Sequence, residues 1–182
     1  MDDKIVFKVP AYDEAGPEAK VVFDQLTRVL GKVPNLYATI GYSGNALSSY
    51  MAFVQAQGKG SFHAKDREGI YLIVSELNEC EYCLAAHTQS AIKNHWTEEE
   101  TLLLRAGKLP DPRWKAIYDV IRSVIEHRGA VADPLLKAFF AAGYAEAALM
   151  DLMALISVMS FTNYVYRLTA IPIDFPAAKP LV

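Results

Sequence analysis

Apolar side chains recur three and four positions apart through most of this chain, and this spacing constrains the fold more than any other feature. It is the spacing of one face of an α-helix, whereas a half-buried strand alternates apolar and polar residues. Glycine and proline interrupt the repeats at short intervals, and no convincing alternating segment stands between them. The pattern therefore predicts an all-α protein built from consecutive helices.

Start and stop signals divide the repeats into eight predicted helices. Gly31 ends the first, and Thr97 with Glu100 forms a capping box that opens the fifth. Asp133 is predicted to be the N-cap of the seventh, with Pro134 as its first helical residue. The predicted helices are 18–30, 45–57, 64–77, 80 or 81 to 94, 97–107, 112–128, 133–143 and 145–168.

The length of the chain fits one domain with a substantial core. It has 182 residues, of which 52% are apolar and 21% are charged. No internal repeat, low-complexity stretch or linker divides it, so we predict a single domain over 1–182. Within this domain, residues 32–35 are predicted to be a connector, and the proline-rich tail that begins at Ile171 is predicted to be extended.

Charge and hydropathy exclude two kinds of partner. The net charge is −3 and no run of Lys and Arg stands out, so we expect no nucleic acid. The chain begins with acidic residues and lacks the apolar stretch of a signal peptide. The most apolar later run, Leu152–Phe161, is too short to span a bilayer, so we expect a buried helix and no membrane. We expect a cytoplasmic protein, in which a structural disulfide would be unusual.

Both cysteines of the chain stand in one short segment, NECEYCLAAH, which runs from Asn78 to His87. Cys80 and Cys83 are three positions apart, and His87 follows four positions later. Such a set could bind a metal, form a structural disulfide or act as a redox centre. Its place in the predicted helices narrows the choice.

The segment begins the fourth predicted helix, where residues three and four apart share a face. Cys80 and Cys83 then lie within the roughly 4.4–6.8 Å Cα separation that a disulfide requires. The free N–H groups of a first helical turn stabilise a thiolate. His87 lies one turn beyond Cys83, where it can take or relay the thiol proton.

Glu68 is predicted to face His87 across a helical hairpin. The third and fourth helices meet in a break at 78–79 and should run antiparallel. At about 1.5 Å per residue, His87 lies about 13 Å from this break and Glu68 about 15 Å from it. Cys83, His87 and Glu68 could therefore form a chain of thiol, imidazole and carboxylate.

This set of residues resembles the motif of alkyl hydroperoxidase D-like (AhpD-like) proteins, which belong to the carboxymuconolactone decarboxylase superfamily. Eleven residues separate Glu68 from Cys80, and three separate Cys83 from His87. Three further segments resemble parts of the same proteins, so that the resemblance extends over about 20–175. These segments are 31–36, 64–68 and 163–174.

The resemblance implies a thiol peroxidase that reduces hydrogen peroxide or small organic hydroperoxides. Cys83 would attack the peroxide and form a sulfenic acid, and Cys80 would resolve it as a disulfide. His87 and Glu68 would relay protons. Tyr82 stands where the best-studied members have histidine, and tyrosine is no base near pH 7. We therefore expect weaker or differently tuned activity.

The remaining expectations concern the surroundings of the site and its partners. Tyr82 and Tyr71 are candidates for the relay or for the wall of the pocket, although a core role is the default for Tyr71. No phosphate loop and no flavin or nicotinamide motif is visible, so we expect no cofactor. The resemblance implies an external dithiol reductant, such as a thioredoxin-like or lipoylated protein, and a homo-oligomer.

Four other interpretations remain open at this point. Cys80, Cys83 and His87 could bind zinc with Glu68 or His63, although no second ligand pair is visible. The cysteines could be buried and inert. The protein could also be a lactone enzyme of the carboxymuconolactone decarboxylase type, although those enzymes do not rely on a CxxC pair, or a non-enzymatic redox sensor.

Overall fold

The structure is a computed structural model that describes residues 5–181, and within this range it contains nine α-helices and no strand. The all-α prediction is therefore confirmed. Two short 3-10 turns, Tyr12–Glu14 and Gln57–Lys59, accompany the helices. The helices are α1 Pro17–Leu30, α2 Asn35–Ile40, α3 Gly44–Ala56, α4 Ala64–Leu77, α5 Glu81–Lys93, α6 Glu98–Arg105, α7 Pro112–Glu126, α8 Asp133–Ala141 and α9 Glu146–Thr169.

Eight of these helices correspond to predicted ones, and α2 was missed. The prediction of a connector over 32–35 was wrong at its last residue, because α2 begins at Asn35 directly after Pro34. Six residues are too few for a helical repeat to be visible in the sequence. Most of the helix is nevertheless buried, and it lines the site described below. Its buried residues are Leu36, Ala38, Thr39 and Ile40.

The start of α8 differs from the prediction by one residue. Ala132 is the N-cap, and Asp133 is the first helical residue, so the N-cap role predicted for Asp133 is wrong. Pro134 consequently occupies the second helical position. The missing N–H of proline costs nothing there, because the first four N–H groups of any helix lack an intrahelical partner.

Helix α4 lies at the centre of the bundle and packs against α5, α6, α7 and α9. Residues 69–75 are buried consecutively, so this helix is covered on every side along that stretch. A Cβ atom on Gly69 would lie only 2.5 Å from the Trp114 ring, so the close approach of α7 requires glycine there. Each buried Leu or Ile contributes about 1.5–3 kcal/mol, and α4 supplies Ile70, Leu72 and Ile73.

Helix α9 is longer than its most apolar run. It has 24 residues, which by length and composition alone could cross a membrane. The run Leu152–Phe161, which is too short to span a bilayer by itself, is only part of this helix. The predicted burial is confirmed, because Leu152, Leu155 and Met159 are almost inaccessible and α9 packs against α4. Such burial is typical of a core helix.

The tail after α9 is extended through the described residues, as predicted. Ala170 ends α9 in a left-handed conformation with φ 47°, and the chain then returns along the bundle. Lys32 donates a hydrogen bond to the Asp174 carbonyl, and Arg105 donates one to the Lys179 carbonyl. These contacts hold the tail beside α2 and α6, and Phe175 of the tail lines the site described below.

Candidate active site

The two cysteines lie at the N-terminus of α5. Cys80 is the N-cap, and its Sγ accepts a hydrogen bond from the Cys83 N–H at 3.3 Å. Glu79 turns the chain out of α4 with φ 54°, which places both thiols in the first turn of the next helix. Both are reduced and buried, with 0% and 2% of their surface exposed. This position agrees with the predicted helix start at Cys80 or Glu81.

The two thiols are electrostatically unequal. The pKa of Cys80 is lowered, chiefly because the Cys83 thiol donates a hydrogen bond to it and the Cys83 amide adds a second. The pKa of Cys83 is raised well above its usual value, because the group is buried and lies beside the charge that Cys80 carries when ionised. The pair therefore holds its first negative charge on Cys80.

Polar side chains from α9 form hydrogen bonds with the two thiols. Asn163 is fully buried and lowers the pKa of both cysteines by hydrogen bonding, and Thr162 lowers that of Cys83. The Asn163 amide also donates to Ser75 and accepts from Asn78. Asn163 was not among the predicted site residues. Its sequence signature is a polar residue within an apolar helical repeat.

Glu68 and His87 meet across the α4–α5 hairpin. His87 Nδ1 lies 2.8 Å from Glu68 Oε2, and the two side chains are 21% and 14% exposed. A carboxylate only accepts hydrogen bonds, so Nδ1 is the donor, and Nε2 is left available for proton transfer. The contact agrees with the equal level of the two residues along the antiparallel helices.

The Tyr71 ring packs against the imidazole ring of His87. Its ring centroid lies 5.0 Å from that of His87, and burial together with the nearby Glu68 raises its pKa. Tyr71 does not line the cavity described next. Its position is therefore that of a core residue that packs on the imidazole.

A cavity of about 260 Å³ opens beside α5, and Cys83 and His87 both line it. Cys80 and Glu68 do not line it, so the cavity reaches one member of each hydrogen-bonded pair. Its walls are mainly aromatic and aliphatic. They include Leu30, Pro34, Leu36, Tyr37, Tyr50, Tyr82, Thr162 and Phe175, and the rest of the lining comes from Ala86, Gln89, Ser90 and Lys93 of α5.

Tyr82 lines the cavity with its ring, but its hydroxyl group is engaged with the tail. The hydroxyl donates to Asp174 Oδ1 at 2.5 Å and accepts from the Leu36 N–H at 3.1 Å. Lys32 forms an ion pair with the same carboxylate at 2.8 Å. Tyr82 therefore lies in the wall of the pocket, which is one of the two positions predicted for it, the other being the proton relay. Its hydroxyl group links α2, α5 and the tail.

The residues considered for zinc are not gathered into a metal-binding group. Within residues 5–181, no cluster of three His, Cys, Asp or Glu side chains has a suitable arrangement. His63 is the N-cap of α4, where its N–H donates to Asp66. His87 is engaged with Glu68 instead.

Comparison with known proteins identifies a family over the centre of the chain. Residues 45–126 match the model of the carboxymuconolactone decarboxylase family. This range contains Glu68, both cysteines and His87. A search of curated proteins found no match.

Solved structures share the fold over almost the whole chain. A peroxidase-related protein from Silicibacter sp. TM1040 superposes with a TM-score of 0.80 at 20% identity, covering 97% of this chain and 93% of that one. A peroxidase-related protein from Ralstonia eutropha JMP134, described as an alkylhydroperoxidase AhpD core, gives 0.82 at 18% identity, covering 92% and 91%. A variant of the debrominase Bmp8 in complex with 2,3,4-tribromopyrrole gives 0.77 at 16% identity, covering 95% and 93%.

The family match lies on the helices that carry the thiols, and the structural matches extend the same helical arrangement to both ends of the described chain. Over residues 45–126 the chain matches the carboxymuconolactone decarboxylase family, and its fold is that of the two peroxidase-related proteins, one of which is an AhpD core.

Proposed function

We propose that the protein is a thiol-dependent peroxidase that reduces hydrogen peroxide or small organic hydroperoxides through a dithiol–disulfide cycle. The observation that carries the proposal is the arrangement around the cavity. Cys83 and His87 line the cavity. Cys80 is hydrogen-bonded to Cys83, Glu68 is hydrogen-bonded to His87, and neither Cys80 nor Glu68 lines the cavity. This arrangement provides a nucleophile, a resolving thiol and an oriented imidazole.

The first step requires the thiolate on Cys83, the thiol that faces the cavity. The pair holds its first charge on Cys80, so the Cys83 proton must pass to Cys80 before attack. Because the thiols are hydrogen-bonded, this transfer stays within the pair. The Cys83 thiolate then attacks the terminal peroxide oxygen, and the O–O bond breaks. The leaving alkoxide takes a proton that His87 relays from solvent, which gives the alcohol and a sulfenic acid on Cys83.

The second step closes the disulfide. The Cys80 sulfur attacks the Cys83 sulfur and displaces hydroxide, which takes up the proton of the Cys80 thiol and leaves as water. One hydroperoxide and two thiols thus yield one alcohol, one water and one disulfide. An external dithiol, such as that of a thioredoxin-like or lipoylated protein, returns the pair to the reduced state. We propose a cytoplasmic setting, where such reductants keep thiols reduced.

Peroxide consumption in the presence of dithiothreitol tests the proposal. We expect turnover by the wild-type protein, and loss of turnover in Cys83→Ser, which removes the nucleophile. His95→Asn is the matched control, because His95 lies outside the cavity and its left-handed backbone, with φ 70°, suits asparagine. Equal turnover by Cys83→Ser and the wild-type protein would contradict the assignment.

Reductive dehalogenation of an aromatic ring is a second candidate. The aromatic walls of the cavity favour it, since Tyr37, Tyr82 and Phe175 could hold a planar ring near Cys83. The debrominase that shares the fold was solved with a brominated pyrrole. Two thiols would supply the two electrons, the ring would gain hydrogen, and bromide would leave as the disulfide forms. Release of bromide from a bromopyrrole without peroxide consumption would favour this reaction.

A further inference from the structure

We propose that the cavity selects hydroperoxides that combine an apolar body with a carboxylate, and that Lys93 recognises the carboxylate. The inference rests on the proposed peroxidase function and deepens it by naming a substrate class. Fatty-acid hydroperoxides are the simplest compounds with both features.

The cavity follows one face of α5 from the reactive thiol to the end of the helix. Cys83, Ala86, Ser90 and Lys93 succeed one another at intervals of three or four residues, and all four line it. Ten positions separate Cys83 from Lys93, which is about 15 Å along the axis. Side chains on a helix lean toward its N-terminus, so the Lys93 ammonium group can reach back toward the thiol.

Most of the surface between these ends is apolar. Leu30, Pro34 and Leu36 form one part of the wall, and Tyr82 and Phe175 form another. The Tyr82 hydroxyl points to Asp174 and the Leu36 amide, so its ring presents carbon atoms to the cavity. An alkyl or aryl body would bury apolar area against these walls, whereas hydrogen peroxide would bury none.

The cavity lining carries a positive charge at its Lys93 end. In the described range, Lys93 is the one lysine that lines the cavity, and no carboxylate lines it. Lys93 also takes part in no ion pair between residues 5 and 181. The two carboxylates nearby are already engaged. Glu68 is bonded to His87, and Asp174 to Lys32. A carboxylate on the substrate would give Lys93 a partner.

The expected preference is modest, because Lys93 is exposed to solvent. Ion pairs at exposed positions change affinity by about twofold to fivefold. We therefore expect kcat/KM for linoleic acid hydroperoxide to exceed that for its methyl ester by this factor at low ionic strength. The advantage should shrink as salt is added, since salt screens exposed charges.

The test compares acid and ester in the wild-type protein, in Lys93→Gln and in Lys137→Gln. Lys137 is an exposed lysine of α8 outside the cavity, so the control makes the same change in net charge. We expect the preference to vanish in Lys93→Gln and to persist in Lys137→Gln. Turnover of both substrates with no preference in the wild-type protein, or with an unchanged preference in Lys93→Gln, would overturn the inference.

Binding without turnover separates this inference from the peroxidase function itself. Laurate and its methyl ester carry no peroxide, and their affinities can be measured calorimetrically with the reduced protein. Tighter binding of laurate that depends on Lys93 would support the selectivity even if no hydroperoxide were consumed. Equal binding of laurate and its ester by the wild-type protein would overturn it even if peroxidase activity were found.

Discussion

The two cysteines of the site differ in pKa and in access to the cavity. Cys80 has the lowered pKa, and Cys83 is the thiol that lines the cavity. The Cys80 pKa is lowered by hydrogen bonds from Cys83, whereas burial and the neighbouring charge raise the Cys83 pKa. A thiolate forms as pH rises through the pKa of its group. The pair should therefore lose its first proton below 9.0, the ordinary value for an isolated cysteine.

Replacing Cys80 should move the pH dependence of Cys83 oxidation upward. In Cys80→Ser the buried Cys83 loses its proton acceptor, and burial alone keeps its pKa above 9.0. We expect a rate midpoint below pH 9 in the wild-type protein and above pH 9 in the variant. Stopped-flow oxidation by hydrogen peroxide, with dimedone trapping of the variant's sulfenic acid, measures both. The same midpoint in both proteins would contradict the shared-proton account.

The α4–α5 hairpin sets the distance between Glu68 and His87. The sequence was sufficient to predict this pairing, because both helices have clear boundaries and the break between them is short. Helix α2 and the role of Asn163 could not be predicted in this way. Six residues are too few for a visible helical repeat, and a polar residue within an apolar repeat does not identify its partners, which come from elements distant in sequence.

Loss of the Glu68 charge should slow oxidation without unfolding the protein. Glu68→Gln keeps a hydrogen-bonding group opposite His87 but removes the negative charge beside the imidazole. We expect the rate of peroxide-driven disulfide formation to fall tenfold or more, since general acid–base catalysis contributes about 10²–10⁴-fold. Glu76→Gln is the control on the same helix, where Glu76 pairs with Arg105 instead. A wild-type rate in Glu68→Gln would exclude Glu68 from the relay.

The contact between Tyr82 and the tail should contribute measurably to stability. Tyr82→Phe leaves the Asp174 carboxylate and the Leu36 amide without their shared partner. Hydrogen bonds to charged groups contribute about 1.5–3 kcal/mol, and we expect the free energy of unfolding in urea to fall by about this amount.

The control for this measurement is Tyr118→Phe. Tyr118 is a half-buried tyrosine of α7 whose hydroxyl group makes no hydrogen bond within residues 5–181. Removing such a hydroxyl group usually changes stability by less than about 0.5 kcal/mol. Equal stability of Tyr82→Phe and Tyr118→Phe would show that Tyr82 does not anchor the tail.

Helix α9 has one buried face and one exposed face. One face is buried against α4, and the other leaves a row of large apolar side chains in solvent, including Leu168 at 73% exposure. Phe161, Tyr164 and Leu168 follow one another at intervals of three and four residues, so they lie along one stripe. We propose that this stripe is covered by a second copy of the chain in the expected homo-oligomer.

A charge in the stripe should reduce the size of the assembly. Leu168→Glu places a carboxylate where an apolar contact is proposed, and burying an unpaired charge is strongly unfavourable. We expect light scattering to give a smaller mass for this variant than for the wild-type protein. Leu181→Glu is the control, because Leu181 is an exposed leucine of the tail outside the stripe. An unchanged mass of Leu168→Glu would show that the stripe is not the interface.

The central claim is that Cys80 and Cys83 form a redox pair driven by peroxide, and intact mass after one equivalent of hydrogen peroxide tests it most directly. The wild-type protein should lose two hydrogens and regain them with dithiothreitol. Cys80→Ser should instead gain one oxygen, because the sulfenic acid on Cys83 cannot be resolved, and Cys83→Ser should remain unchanged. A wild-type mass that does not change with peroxide would contradict the account.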